Sequence, residues 1–179
     1  MALLEPILEK LARTQRELLR TADTVPADLW KTPPRDSAWS AAEIIAHVII
    51  VERSVIGAAR RIFTKKPRQT PLLRRFRLPF VLAEVRLIRM KTPIPIDRQL
   101  VREREAMLAE LSEVRGRTLA LIEETRNRDL RAYRWRHPFL GSLNAYEWFL
   151  FLASHQIRHE KQLREIAANL PEAIQNSQK

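Results

Sequence analysis

An all-α fold, a four-helix bundle with a short accessory helix and basic connecting loops, is what the sequence predicts. Two observations carry this. The chain has only three glycines and is rich in Leu, Ala, Glu and Arg, which favours helices over strands and tight turns. Four long stretches place apolar residues every three or four positions, the period of a helix buried on one side. At 179 residues one domain, 1–179, is expected, with a continuous core that needs no covalent staple.

The first helix is expected over 3–20, where Leu4, Ile7, Leu8, Leu11, Leu18 and Leu19 form a stripe with charges between them. "TADTVPADLWKTPPRDSA" follows with three prolines and reads as a connection. The second helix, about 41–63, has a distinct start signal. Ser40 can cap it while Glu43 reaches back, forming a capping box behind Trp39. Its inner stripe is Ile44, His47, Val48, Val51, Val55, Ala58 and Ile62. Residues 64–79 hold six Lys or Arg and no acid, a cationic connection. "FVLAEVRLIRM" resumes a helical rhythm as the accessory helix, until the prolines of "KTPIPID" forbid continuation.

The third long helix is expected over about 97–126, with Leu100, Met107, Leu108, Leu111, Val114, Leu121 and Ile122 on one side. A second basic connection covers 126–136, extended around Tyr133 to Trp135, and His137 before Pro138 reads as a loop residue. The last helix starts near Leu143–Asn144 and runs to about 168. Its stripe is Trp148, Leu152, His155, His159, Leu163 and Ile166.

Three of the four histidines thus fall on inner stripes, and two are four apart on one helix face. Imidazole is a good ligand for zinc, nickel, iron or copper, and an i, i+4 pair can hold one ion. His47, His155 and His159 together would form a three-nitrogen site with coordination positions left open for a reacting group. The competing reading of each is a hydrogen-bonded core histidine, and spacing alone leaves both standing. Gln156 occupies the place where a zinc peptidase's H-E-x-x-H carries its general base, which weakens a peptidase reading.

Zero cysteines exclude disulfides, thiolate ligands and a cysteine nucleophile. No leader-like layout opens the chain and no apolar run is long enough to span a membrane, so a cytoplasmic protein with no membrane partner is expected. The formal charge of +11 would attract nucleic acid, an anionic surface or an acidic small molecule. A solvated basic face is the plainer account of the two cationic stretches. Arg104, on the apolar side of its helix, and Arg158, beside the histidines, are candidates to hold a substrate carboxylate, with snorkelling as the alternative.

The stretches "WSAAEIIAHVIIVE" and "HPFLGSLNAYEWFLFLASHQIRHEKQL" resemble the DinB-like (DinB/YfiT) superfamily. Trp39, Ser40, His47, His155, His159 and Gln162 match its pattern, over roughly 5–170. The resemblance implies a bundle with a divalent metal, commonly zinc, nickel or iron, at one open end, and homodimers are common in the family. It also implies chemistry on small electrophiles. Relatives include thiol-dependent S-transferases and maleylpyruvate isomerases using bacillithiol, mycothiol or glutathione-like cofactors, and others are called metal-dependent hydrolases. A low-molecular-weight thiol would then arrive with the small-molecule substrate, which suits a chain without cysteine. The catalytic group itself is not identified beyond a metal-activated water or thiol.

Two other functions compete with this enzyme reading. A non-enzymatic basic module binding nucleic acid is disfavoured, because only Phe76, Tyr133 and Trp135 interleave aromatics with the basic stretches and no groove-reading motif is present. A bundle that kept its scaffold and lost its chemistry is the third. The intact histidines argue against it.

Overall fold

The structure is a computed structural model that describes residues 4–35, 38–67 and 100–177, with side chains described to 169. Most of the cationic run at 64–79 and the whole accessory helix expected at 80–90 lie outside the described residues.

Four helices carry the architecture: α1 (Leu4–Asp23), α2 (Ala41–Phe63), α3 (Arg104–Glu124) and α4 (Ala145–Ser177). Each starts and faces inward for reasons visible in its residues. In α1, Leu4, Ile7, Leu11, Leu18 and Ala22 are buried, and the same face also buries Thr14 and Gln15. In α2 the capping box forms as expected: the Glu43 amide donates to Ser40 Oγ at 3.2 Å, and the Ser40 amide donates to Glu43 Oε2 at 2.8 Å. α4 begins with the same device, built by Asn144 and Glu147 at 3.0 and 2.7 Å.

The third helix differs from its expected bounds. Residues 101–103 are not helical, Glu103 is extended, and Leu100 is 37% exposed instead of lying on the inner stripe. The apolar rhythm before Arg104 therefore overstates the helix. α4 is longer than expected, ending at Ser177.

Cross-helix contacts fix the directions. Lys10 meets Ser154, Thr14 meets Gln156 and Thr21 meets Glu160, so α1 and α4 run parallel. Arg53 pairs with Glu110 and Arg60 with Glu124, so α2 and α3 are also parallel. Arg115 reaches Leu11 O and Arg104 reaches Val25 O, which makes α3 antiparallel to α1. The helices therefore run up, down, down, up, with α1 beside α4 and α2 beside α3.

Between α3 and α4 the basic stretch is not simply a loop. After a 3-10 turn at Leu130–Ala132, β1 (Arg134–His137) pairs antiparallel with β2 (Gly141–Asn144), in register His137 to Gly141. Gly141 closes the three-residue turn at a φ of 88°, a conformation that favours glycine. His137, expected in a loop, ends β1 and is buried. Its Nδ1 accepts the amide protons of Phe139 and Leu140, each at 3.1 Å, so the ring itself holds the turn. Trp135 stacks on Trp148 at 5.1 Å and Trp148 packs against His137, fastening the hairpin to α4.

The largely apolar core also takes in buried polar groups, among them an ion pair. Glu52 of α2 and Arg115 of α3 are both buried, with Nε to Oε1 at 2.8 Å and Nη2 to Oε2 at 2.9 Å. Thr118 donates to Glu52 and Arg115 donates to Leu11 O, so every charge has partners and three helices are tied together.

Candidate metal centre

His47 stands in the second turn of α2, and His155 and His159 stand in mid-α4 where the two antiparallel helices face each other. The capping box at Ser40 sets where α2 begins, and with it the height of His47 along α4. Residues 155 and 159 are one turn apart, so their rings point the same way.

The three Nε2 atoms converge. His155 Nε2 lies 3.2 Å from His47 Nε2 and 3.2 Å from His159 Nε2, and the three ligand atoms all fall within 4.8 Å of one another. His47 and His159 are about 5% exposed, and His155 is half-buried. His155 is thus the most exposed of the three. Trp39, just before the cap, lies over the other two, 5.1 Å from the His47 ring and stacked 6.4 Å from His159. Phe151, one turn before His155, closes the side toward the hairpin at 5.4 Å.

Protonation shows what this geometry asks for. Burial pushes His47 down to about 4. His155 is driven well below the ordinary histidine range, first by burial and then by the neighbouring His159, His47 and His137 and the charge of Arg158. Near neutral pH His47 and His155 are uncharged, and a neutral imidazole has one N–H and one lone pair. His159 spends its N–H on Gln162, whose Oε1 lies 3.1 Å from Nδ1, so its Nε2 presents a lone pair to the cluster. His155 can offer at most one proton to two neighbours. With all three rings neutral, at least one pair of nitrogens is left without a proton between them, and buried His47 Nδ1 has no hydrogen-bond partner among the described residues.

A cation removes that conflict. Nitrogens about 2.0–2.1 Å from one tetrahedral ion stand about 3.3–3.4 Å apart, close to the separations seen here. The residues present therefore fit a divalent ion bound by three neutral imidazoles, with Gln162 orienting one of them from behind.

The other residues singled out from sequence fall elsewhere. Arg104 starts α3, where its guanidinium donates to Val25 O at 3.1 Å and pairs with Glu105. Arg158 is half-buried on α4, with its charge acting on His155. Gln156 turns away from the histidines toward α1: it accepts from Thr14 at 3.2 Å and donates to Gln15 at 3.0 Å. A glutamate there would face α1 as well, so the peptidase arrangement is absent by direction as well as by residue type. Glu160 also faces α1, bonded to Thr21 at 2.8 Å. Spacing gave no hint of these α1 partners. A visible signal for the buried ion pair was Glu52 interrupting the apolar rhythm of α2 between Val48 and Val55.

A family model described as the DinB superfamily matches residues 10–163. The crystal structure of TT2238, described as a four-helix bundle protein, aligns with a TM-score of 0.58, covering 90% of this chain and 98% of that one at 24% identity, which speaks for the fold alone. No curated protein matches the chain.

Proposed function

Since the chain belongs to the DinB superfamily, we propose that His47, His155 and His159 bind one divalent metal, zinc, nickel or iron, in an enzyme acting on small electrophiles. The observation that carries this reading is the convergence of three Nε2 atoms, two of the pairs 3.2 Å apart, as nitrogens bound to one ion would be. When bound, such an ion supplies Lewis-acid polarisation and lowers the pKa of a coordinated water or thiol.

The chain's own residues do the rest. His47 and His155 stay neutral, because burial opposes their charging, and so keep their lone pairs available. Gln162 holds the His159 ring with Nε2 inward. Trp39 and Phe151 wall the cluster and limit water, leaving access over half-buried His155. Arg158 brings positive charge beside that access and is the residue we assign to the substrate's anionic group, whereas Arg104 is engaged with Val25 O and Glu105. With no cysteine in the chain, the nucleophile is water or a low-molecular-weight thiol that arrives as co-substrate.

The test is elemental analysis of untagged protein, before and after reconstitution with zinc, nickel or ferrous ion. One ion per chain is expected. Protein that stays metal-free after reconstitution overturns the proposal. Metal-loaded protein is then assayed with small thiols against simple electrophiles, where metal-dependent turnover is expected.

A further inference from the structure

Each of the two histidines on α4 is followed by a polar residue that is tied to α1. Gln156, after His155, accepts from Thr14 Oγ1 at 3.2 Å. Glu160, after His159, accepts from Thr21 Oγ1 at 2.8 Å. Thr14 and Thr21 are seven residues apart, two turns of α1, and Gln156 and Glu160 are one turn apart on α4. Above them Lys10 donates to Ser154 at 3.3 Å, and Gln156 donates to Gln15 at 3.0 Å. A polar seam thus runs between two parallel helices, and Thr14, Ser154 and Gln156 in it are essentially inaccessible to solvent.

Apolar packing alone allows a helix to rotate and slide by small amounts at little cost, because hydrophobic contact is non-directional. Hydrogen bonds between buried groups do not, since a shift leaves a donor or acceptor unpaired. Successive residues on a helix lie about 100° apart. Holding residues 156 and 160 against α1 therefore fixes the direction of residues 155 and 159. It turns them toward α2, where His47 waits.

The seam is also anchored at its far side. Leu11 O accepts from Arg115 Nη1 at 3.1 Å and lies 3.2 Å from Thr14 Oγ1, whose single proton is shared between it and Gln156 Oε1. Arg115 is locked to Glu52 on α2, the helix that carries His47. A continuous polar chain therefore links the two helices that supply the ligands: Glu52, Arg115, Leu11 O, Thr14, Gln156.

From this we infer that Thr14 and Thr21 are positioning residues for the three-histidine centre, setting the rotation of α4 that closes the ligand triangle. The inference rests on the metal reading above. Its measurement is the affinity for zinc by chelator competition, with the visible absorption of the cobalt-substituted protein and the urea midpoint recorded alongside.

The Thr14→Val/Thr21→Val double variant is expected to bind zinc about 10–100-fold more weakly, the usual effect of losing an outer support of a metal ligand, with an altered cobalt spectrum. Thr14→Ser/Thr21→Ser keeps the hydroxyls and is expected to retain wild-type affinity. Stability is separated by a third variant, Thr14→Val/Gln15→Leu/Gln156→Leu, which replaces that part of the seam by apolar groups and leaves no partner stranded. Its urea midpoint should match or exceed wild type while its zinc affinity stays low. Wild-type affinity in the valine double variant, or full recovery of affinity in the apolar variant, overturns the inference. Wild-type protein that takes up no metal sinks the underlying reading instead, so the two failures are distinguishable.

Discussion

All four histidines are buried or half-buried, yet they sit in two unlike settings. His137, at the hairpin, has its Nδ1 filled by two backbone amides of its own turn. The rings of His47, His155 and His159 turn their Nε2 atoms on one another, with Gln162 bonded to His159 from behind. Burial lowers the pKa in both settings, to about 4 for His137 and about 4 for His47. A depressed pKa therefore does not tell a ligand from a structural histidine. Partner supply differs: a ring satisfied by the main chain stabilises a turn, whereas three rings whose Nε2 atoms face one another suit a shared cation.

The largest expected effect breaks this comparison most directly. An ion present at about 1,000 times its dissociation constant stabilises the native state by about 4 kcal/mol, which for a chain of this size is about 8–16 °C in Tm. Adding a strong chelator should therefore lower the Tm of the zinc-loaded wild type by that amount. The His137→Gln variant should show the same drop, because its ring is outside the triangle. His47→Ala, His155→Ala and His159→Ala should each melt at one temperature with or without chelator. A chelator-independent His137→Gln protein would place all four histidines in one centre and erase the distinction.

The next effect concerns pH, read on metal-free protein by urea unfolding. His137 binds a proton at about 4 when folded and near 6.5 when unfolded. Above pH 6.5 both states are neutral there, and the residue makes no difference. Between 6.5 and 4 the unfolded chain takes up the proton and the folded one does not, so stability falls as pH falls. The loss reaches about 3 kcal/mol below pH 4. Replacing His137 by Gln should remove up to that much of the acid sensitivity, while the histidines of the cluster keep the remainder. An unchanged pH profile in His137→Gln would mean that this ring takes up its proton in the folded state as easily as in the unfolded one.

What the sequence made legible follows the same division. The four long helices, the Ser40 capping box and the inward stripe positions of His47, His155 and His159 were readable because periodicity and caps are local signals; grouping the three, with His47 and His155 108 residues apart, took the family resemblance as well. The start of α3 was misplaced because Leu100 continues an apolar rhythm that the backbone abandons. The hairpin was hidden in a basic stretch without an Asn-Gly or Asp-Gly turn, and its closing acceptor is a side-chain ring that no turn pattern announces. The seam between α1 and α4 was unreadable for a different reason. Thr14 and Gln156 are 142 residues apart, and Thr21 and Glu160 are 139 apart, so only the fold brings them together.

The smallest effect sharpens the comparison inside the cluster itself. Gln162 gives His159 what the amides of Phe139 and Leu140 give His137, a partner for the nitrogen that faces away. Gln162→Leu removes it, leaving Nδ1–H without its acceptor and the ring freer to turn. Zinc affinity should fall about 10–100-fold, or about 1.4–2.7 kcal/mol, with stoichiometry still one ion per chain. Gln162→Glu keeps an acceptor and makes it anionic, which raises the basicity of the ring, so its affinity should equal or exceed wild type. Chelator competition on the two variants reads both signs in one experiment. If Gln162→Leu binds as tightly as wild type, orientation of His159 comes from the stacked face of Trp39, and the support of the centre is packing instead of hydrogen bonding.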